Sequence, residues 1–171
     1  MMRLLIVGAG GYACAVIELA QSLGGYELVG LVDDRWPALP ALRGLPVLGR
    51  PADLQNLRGQ AGAAVLAIGN NAARQAAFSA AQAAGYALPS LVHPRAIVSP
   101  SAVLGRGLTV MAGAIIGAEA RVGDGAIVNA GAVLDHHAQV GAFARLGVAA
   151  CLAGGAVLQP GASLAAGELL A

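Results

Sequence analysis

From Val98 to Leu164 the chain places an aliphatic residue at every sixth position. The series runs Val98, Leu104, Val110, Ile116, Val122, Val128, Leu134, Val140, Leu146, Leu152, Leu158 and Leu164. Four residues after most of these stands an alanine: Ala102, Ala114, Ala120, Ala126, Ala132, Ala138, Ala144, Ala150, Ala156 and Ala162. Leu108 and Glu168 break this second series. A helix repeats its apolar face at 3.6 residues and a strand at 2, so a period of six fits neither. It fits a parallel β-helix, in which each hexapeptide is one short strand and turn. Three such strands close a triangular coil of about 18 residues. The spacing predicts that the aliphatic residues point into the prism and stack on their equivalents in neighbouring coils. Alanine then stands where the prism is too narrow for more. Gly107, Gly113, Gly125, Gly131, Gly155 and Gly161 fall at the turns, where a positive φ costs glycine little. The twelve repeats make four coils.

The pattern before this region is different. RLLIVG at 3–8 reads as a short buried strand, and a helical pattern follows from Ala13 to Leu23. A second strand, YELVGLVDD, ends in Asp33 and Asp34; PVLG follows, and 51–57 reads as a short helix. AAVLAIGNN is a third buried strand, with a helix from Asn71 to Ala84 after it. Strands alternating with helices predict a small α/β Rossmann-like domain with a parallel sheet. We assign residues 1–92 to this domain and 93–171 to the β-helix, with LPSLVHPR at 88–95 as the connection.

Composition narrows the function classes. Charged residues make up 11% of the chain and the net charge is +1, which points away from nucleic acid. Residues 146–167 carry no charge, and on length alone would suit a transmembrane helix. Their glycine and proline density and unbroken register argue for a β-helix interior and against a membrane. Arg3 followed by LLIVGAGG superficially resembles a signal peptide. The glycine-rich turn, the following helix with Glu18 and the lack of a cleavage site make it the start of a cytoplasmic domain. Cys14 and Cys151 fall in different domains and read as buried free thiols in a reducing compartment.

Two stretches suggest chemistry. GAGGYA, between strand and helix, nearly meets the dinucleotide fingerprint, with Gly8, Gly10 and Ala13 in its small positions. Glycines let a backbone approach a phosphate, and a helix N-terminus offers N–H groups and a positive dipole end. Asp33 stands where an acidic side chain accepts from a ribose hydroxyl. About 90 residues hold only half a dinucleotide fold, so a mononucleotide or nucleotide-sugar fits better than NAD. The glycines would also serve a tight turn alone. In the repeats, polar residues gather in NAGAVLDHHAQVGAFAR at 129–145. His136 is the natural general base, since imidazole titrates near neutral pH. A solvated turn histidine is the plain alternative.

The whole chain resembles the bacterial nucleotide-sugar acetyltransferases of the sialic-acid and bacillosamine pathways. The resemblance rests on LLIVGAGGYA, LVDD, LAIGNN with Arg74, SLVHP, IVNAGAVLDHH and QVGAFARLG, in that order. It implies a left-handed β-helix, a homotrimer, and acetylation of a UDP-4-amino-4,6-dideoxy-sugar type of substrate with acetyl-CoA and no metal. His136 would take the proton of the attacking amine, with Asn129 and His137 beside the reacting atoms. Gly8, Gly10, Gly11, Tyr12, Asp33, Asp34, Gly69 and Asn70 would hold the nucleotide-sugar. Arg145, Gly147 and Gly154 would contact acetyl-CoA in a groove between neighbouring β-helices.

Three features depart from the family. It commonly has an acidic residue directly after the catalytic histidine, which orients the ring and raises its basicity; His137 stands there. Asp135 is the nearest carboxylate in sequence, but precedes the histidine. A family histidine at the acetyl-CoA site corresponds to Arg145, which can donate but cannot act as a base. Family members usually continue for one or two more coils, so residues 93–171 are expected to be short at the C-terminus. A truncated or incomplete chain of this kind would expose unpaired strand edges there.

Other classes compete less well. A zinc enzyme on this fold needs three convergent histidines, and the chain has only His93, His136 and His137, two adjacent and one far away. A nucleotide-sugar-binding trimeric scaffold without turnover is a second reading. An acetyltransferase for a simple acceptor, or an O-acetyltransferase of the same family, is a third.

Overall fold

Four aliphatic residues in succession, Leu4, Leu5, Ile6 and Val7, are wholly buried in β1 (Met2–Val7). A strand covered on both faces has no polar side to present, so its sequence runs apolar without alternation. The chain continues through α1 (Gly11–Leu23), β2 (Tyr26–Val32), β3 (Ala41–Leu42) and β4 (Leu45–Gly49). After a 3₁₀ turn at Pro51–Asp53 come α2 (Leu54–Leu57), β5 (Ala63–Leu66) and α3 (Asn71–Ala83). The computed structural model describes residues 1–171, and these elements form its first compact unit, Met1–Pro89.

The sheet order is β3-β4-β2-β1-β5, parallel throughout except for the β3–β4 hairpin. That hairpin, at the sheet edge, is hidden in the proline-rich stretch of the sequence. With β2 and β4 on one side of β1 and β5 on the other, the connections diverge at the carboxyl end of β1. In open α/β sheets, such a divergence opens a crevice.

The second unit, Ser90–Ala171, is a parallel β-helix of two-residue strands in three sheets. One face stacks Leu91–Val92, Thr109–Val110, Ile127–Val128, Arg145–Leu146 and Ser163–Leu164. The second stacks Ile97–Val98, Ile115–Ile116, Val133–Leu134, Cys151–Leu152 and Leu169–Leu170. The third stacks Val103–Leu104, Arg121–Val122, Gln139–Val140 and Val157–Leu158. Partners are separated by one full coil, or three hexapeptides, as in Ile97 with Ile115 and Ile115 with Val133. The sixfold aliphatic series and the alanines form the core, and Val92 and Leu170 extend it by a repeat at each end. Leu91–Val92, expected in the connection, is thus the first strand of the β-helix.

The two breaks in the alanine series have separate causes. Leu108 is fully buried, and its N–H donates to Ser90 Oγ at 3.4 Å. Glu168 is exposed and turns back to accept from Ala165 N at 2.8 Å. No helix of the protein is long and apolar enough to cross a membrane. Residues 146–167 form strands and turns of the β-helix. Cys14 and Cys151, expected to be buried, are free thiols only partly buried.

Two glycine roles separate at the turns. The left-handed position recurs every six residues, with glycine at 107, 113, 125, 131, 155, 161 and 167. Glu119, His137, Phe143 and Ala149 take it with φ of 58°, 60°, 57° and 55°. The other role is close stacking: a Cβ on Gly123 would fall 2.5 Å from Ala142 N and 2.8 Å from Ala142 Cα in the next coil. Backbone cannot yield there as a flexible side chain would. Gly123→Ala is therefore expected to destabilise the β-helix by about 1–3 kcal/mol. Ala149→Gly should leave stability unchanged or slightly raised, because relief of the left-handed backbone offsets the added freedom of the unfolded chain. Thermal unfolding of the two variants beside the parent checks both signs.

Candidate active site

The crevice at the carboxyl ends of β1, β2 and β5 is a cleft of about 430 Å³. Gly8, Gly10, Gly11, Tyr12, Asp33, Asp34 and Gly69 all line it. Their roles differ. Gly8 has φ of 102°, and a Cβ there would meet Ala67 O at 2.8 Å, so its job is close packing of β1 on the β5 end. A Cβ on Gly10, Gly11 or Gly69 would meet nothing within 4 Å, so their backbone faces open space. Gly10 also caps α1 without a side-chain hydrogen bond, leaving the helix end open to an anion.

Asp33 holds the loop as much as it faces the cleft. Its Oδ2 accepts from Ala9 N at 2.8 Å, and its Oδ1 from Arg35 N at 3.0 Å and Arg35 Nε at 2.7 Å. Arg35 Nη2 in turn donates to Ala9 O at 2.8 Å. The Arg35 side chain, against some opposing burial, and the backbone N–H groups of Arg35 and Ala9 lower the Asp33 pKa to about 2. Sequence reading missed Arg35, whose position two residues past an acidic strand end is its only signal. Asn70 does not line the cleft, and its Oδ1 caps α3 by accepting from Ala73 N at 2.9 Å. Behind this loop, buried Arg74 donates to Ile68 O, Gly69 O and Asn71 Oδ1 at 3.0, 3.2 and 2.8 Å.

In the β-helix, His136 and His137 form the corner after strand Val133–Leu134. The coil below puts Gly117, Ala118 and Glu119 at this corner, and the coil above puts Ala153, Gly154 and Gly155 there. The His136 ring rests on Gly154, where a Cβ would fall 2.6 Å from Cε1 and 2.7 Å from Nε2. His136 Nδ1 is 3.1 Å from His137 Nδ1, and His137 Nε2 is 3.1 Å from Glu119 Oε2. Asp135, the nearest carboxylate in sequence, is committed elsewhere. Its Oδ1 accepts from His136 N at 2.6 Å, while Oδ2 is 4.0 Å from His136 Nε2. Sequence reading missed Glu119 because it lies a whole coil before His137; the coil length was the signal.

The remaining residues occupy other positions. Asn129 and Gly147 share the corner on the opposite side of the second face, one coil apart, and Asn129 Oδ1 accepts from Ala130 N at 2.9 Å. Arg145 and Gly147 line a separate cleft of about 380 Å³ together with Glu168. Gly154 is not with them but in the coil above, against the His136 ring. His93 stands in the Asn129 column, its Nδ1 accepting from Arg95 N at 3.0 Å.

Against known proteins, residues 3–81 match the family model of the PglD N-terminal domain. The acetyltransferase domain of PglB from Neisseria gonorrhoeae FA1090, solved with acetyl coenzyme A, is 34% identical. The match covers 97% of this chain and 89% of that chain, with a TM-score of 0.86. Perosamine N-acetyltransferase from Caulobacter crescentus, in a histidine-to-asparagine mutant with CoA and GDP-perosamine, is 37% identical. There the shares are 97% and 84%, with a TM-score of 0.82. The chain belongs to the hexapeptide-repeat nucleotide-sugar acetyltransferase family. Its β-helix is accordingly left-handed, and it is an acyltransferase by family. WeeI from Acinetobacter baumannii AYE, at 19% identity, a TM-score of 0.62 and 99% and 96% coverage, shares the fold. No curated protein matches the chain.

The Asp33 pair in this acetyltransferase gives a pH test. A carboxylate whose folded pKa lies below its ordinary value adds stability above that value and loses it as pH falls through the folded pKa. For Asp33 the window runs from the ordinary 3.8 down to about 2. Asp33→Asn is expected to lower stability at pH 6 and to flatten the loss between pH 4 and pH 2. Urea unfolding of parent and variant across that range measures it. Parallel curves would show that the carboxylate does not anchor the loop.

Proposed function

We propose that this chain transfers the acetyl group of acetyl-CoA to the amine of a nucleotide-linked 4-amino-4,6-dideoxy sugar, with His136 as general base. The carrying observation is the corner itself: a histidine ring seated on Gly154 with Nδ1 engaged by a second ring. With Nδ1 engaged, Nε2 is the ring nitrogen left to serve as the base. It also accords with relatives whose structures contain acetyl coenzyme A, or CoA with GDP-perosamine. Two of the Caulobacter structures carry a single histidine replaced by asparagine or alanine, which fits a functional histidine in that enzyme.

In the reaction, the amine nitrogen attacks the thioester carbonyl while Nε2 of His136 takes an amine proton. The C–N bond forms, the C–S bond breaks, and the CoA thiolate leaves and recovers the proton. The thioester is already a reactive acyl donor, so one base suffices. The cleft about Gly10 and Gly11 would hold the nucleotide diphosphate, and the Arg145–Gly147 cleft would receive part of acetyl-CoA.

The second face of the β-helix supports a homotrimer. Its outward column is Ile97, Ile115, Val133, Cys151 and Leu169, without a charge. Ile97 and Leu169 are 65% and 67% exposed in the single chain, at the two ends of an apolar ridge that association would cover. Three copies closing on this face would bring the His136 corner of one against the Asn129 corner of the next. The site would then be shared between subunits, although Asn129 and His136 lie on separate corners of one chain. The use of acetyl-CoA favours a cytoplasmic enzyme.

Thiol release from acetyl-CoA over a panel of UDP- and GDP-linked amino sugars tests this reading. Turnover should require a 4-amino sugar and fall by about 10²-fold or more in His136→Ala. A variant within threefold of the parent would remove His136 from the mechanism. Binding of nucleotide-sugar without thiol release would favour a scaffold protein.

A further inference from the structure

We infer that the carboxylate governing His136 is Glu119, contributed by the coil below and acting through His137. This rests on the reading of His136 as the base. Three observations carry it. Glu119 and His137 occupy equivalent left-handed turn positions in successive coils, which fixes their side chains on the same corner. The contacts are continuous, 3.1 Å from Glu119 Oε2 to His137 Nε2 and 3.1 Å from His137 Nδ1 to His136 Nδ1. The competing carboxylate, Asp135, caps a backbone N–H and approaches His136 only on Nε2, at 4.0 Å.

With both rings neutral, the hydrogen-bond inventory allows one consistent tautomer set. Glu119 is an acceptor, so His137 carries its proton on Nε2 and offers a lone pair at Nδ1. That lone pair accepts from His136 Nδ1–H, which leaves the lone pair of His136 on Nε2, the nitrogen a base must present. When Nε2 takes the amine proton, the new imidazolium charge is shared through His137 with Glu119, and the proton later returns to the leaving thiolate. No atom or electron is left over. Glu119 and His137 are thus positioning residues, and the acidic function missing after His136 in the sequence is supplied from one coil earlier in the chain.

The corner below His137 is itself braced. Ser101, another coil down in the same column, accepts from Glu119 N at 3.0 Å and contacts Ser99 Oγ at 3.1 Å. Nothing titratable faces the rings from above, where the coil places Ala153, Gly154 and Gly155. The charged and titratable groups around His136 are therefore Asp135, His137 and Glu119.

The test uses the full chain with three variants: Glu119→Ala, His137→Glu, and the two combined. Alanine already occupies the same turn position at Ala149, and glutamate at Glu119, so both substitutions suit the backbone. Glu119→Ala should lower kcat about tenfold, a fraction of what a general base supplies, with KM for both substrates unchanged. The double variant, with a carboxylate placed beside His136, should recover most of that loss. Nitrogen-15 NMR of the three histidines gives a readout apart from turnover. The parent should show Nδ1–H for His136 and Nε2–H for His137, and Glu119→Ala should mix the His137 tautomers. Unchanged kcat in Glu119→Ala, or a His136 protonated on Nε2 in the neutral parent, would overturn the relay. Failure of the base reading would appear separately, as full activity in His136→Ala, and the NMR result would still decide the tautomers.

Discussion

Everything in the second unit depends on the registry of stacked coils. Each strand pairs with its equivalent in the next coil, and the interior holds a column of aliphatic residues beside a column that is alanine except at Leu108. A prism this narrow has no room for a polar side chain, and burying one without partners would cost several kcal/mol. Chemistry is therefore confined to the outward strand positions and the corners. At the corners the backbone alternates a close approach with a left-handed residue. What a corner can do is set by which non-glycine residues it tolerates, and at the His136 corner those are a glutamate and two histidines in neighbouring coils.

The first unit solves a different problem, since the loop we propose for the nucleotide diphosphate must stay open without collapsing. Gly10 and Gly11 are unencumbered, while their neighbours are tied down. Ala9 is held through both its N–H and its carbonyl by the Asp33–Arg35 pair. The opposite wall is held by Arg74, whose guanidinium gathers the Ile68 and Gly69 carbonyls. A charged side chain almost wholly buried is tolerable because its donors meet two carbonyls and an amide oxygen. The glycines supply access and the charged residues supply rigidity.

How far the sequence disclosed this depends on whether a signal is periodic, local or neither. The β-helix was legible because one aliphatic residue recurs without failure from Val98 to Leu164, and the turn glycines follow the same beat. The first strand, Leu91–Val92, escaped because proline and histidine after it read as a connection. Gly8, Gly10, Gly11, Asp33 and Gly69 converge on one cleft, because strand ends and helix starts are local features. Asn70 was read from the resemblance as a nucleotide-sugar contact and not as a helix cap, since asparagine suits both a loop and an N-cap. Glu119 was invisible to neighbour-by-neighbour reading. Search at an offset of one coil, from any corner residue, is what the fold demands.

That same offset bears on how the corner gains strength. His137 and Glu119 have side chains 60% and 65% exposed in the isolated chain, and a hydrogen bond to a carboxylate in such a setting is screened to little value. The relay thus has small force while the corner faces water. Covering it lowers the local dielectric, and the same pair then acts more strongly on His136. In the trimer we propose, the covering groups are the neighbouring subunit, the acetyl-CoA and the sugar, all arriving at this corner. The base would then be fully supported only once its substrates have displaced water, which is also when premature hydrolysis of the thioester is excluded. A carboxylate placed directly after His136 would lie closer to the ring in either state. One placed a coil away, across a second imidazole, makes the support of the base depend more steeply on assembly and occupancy.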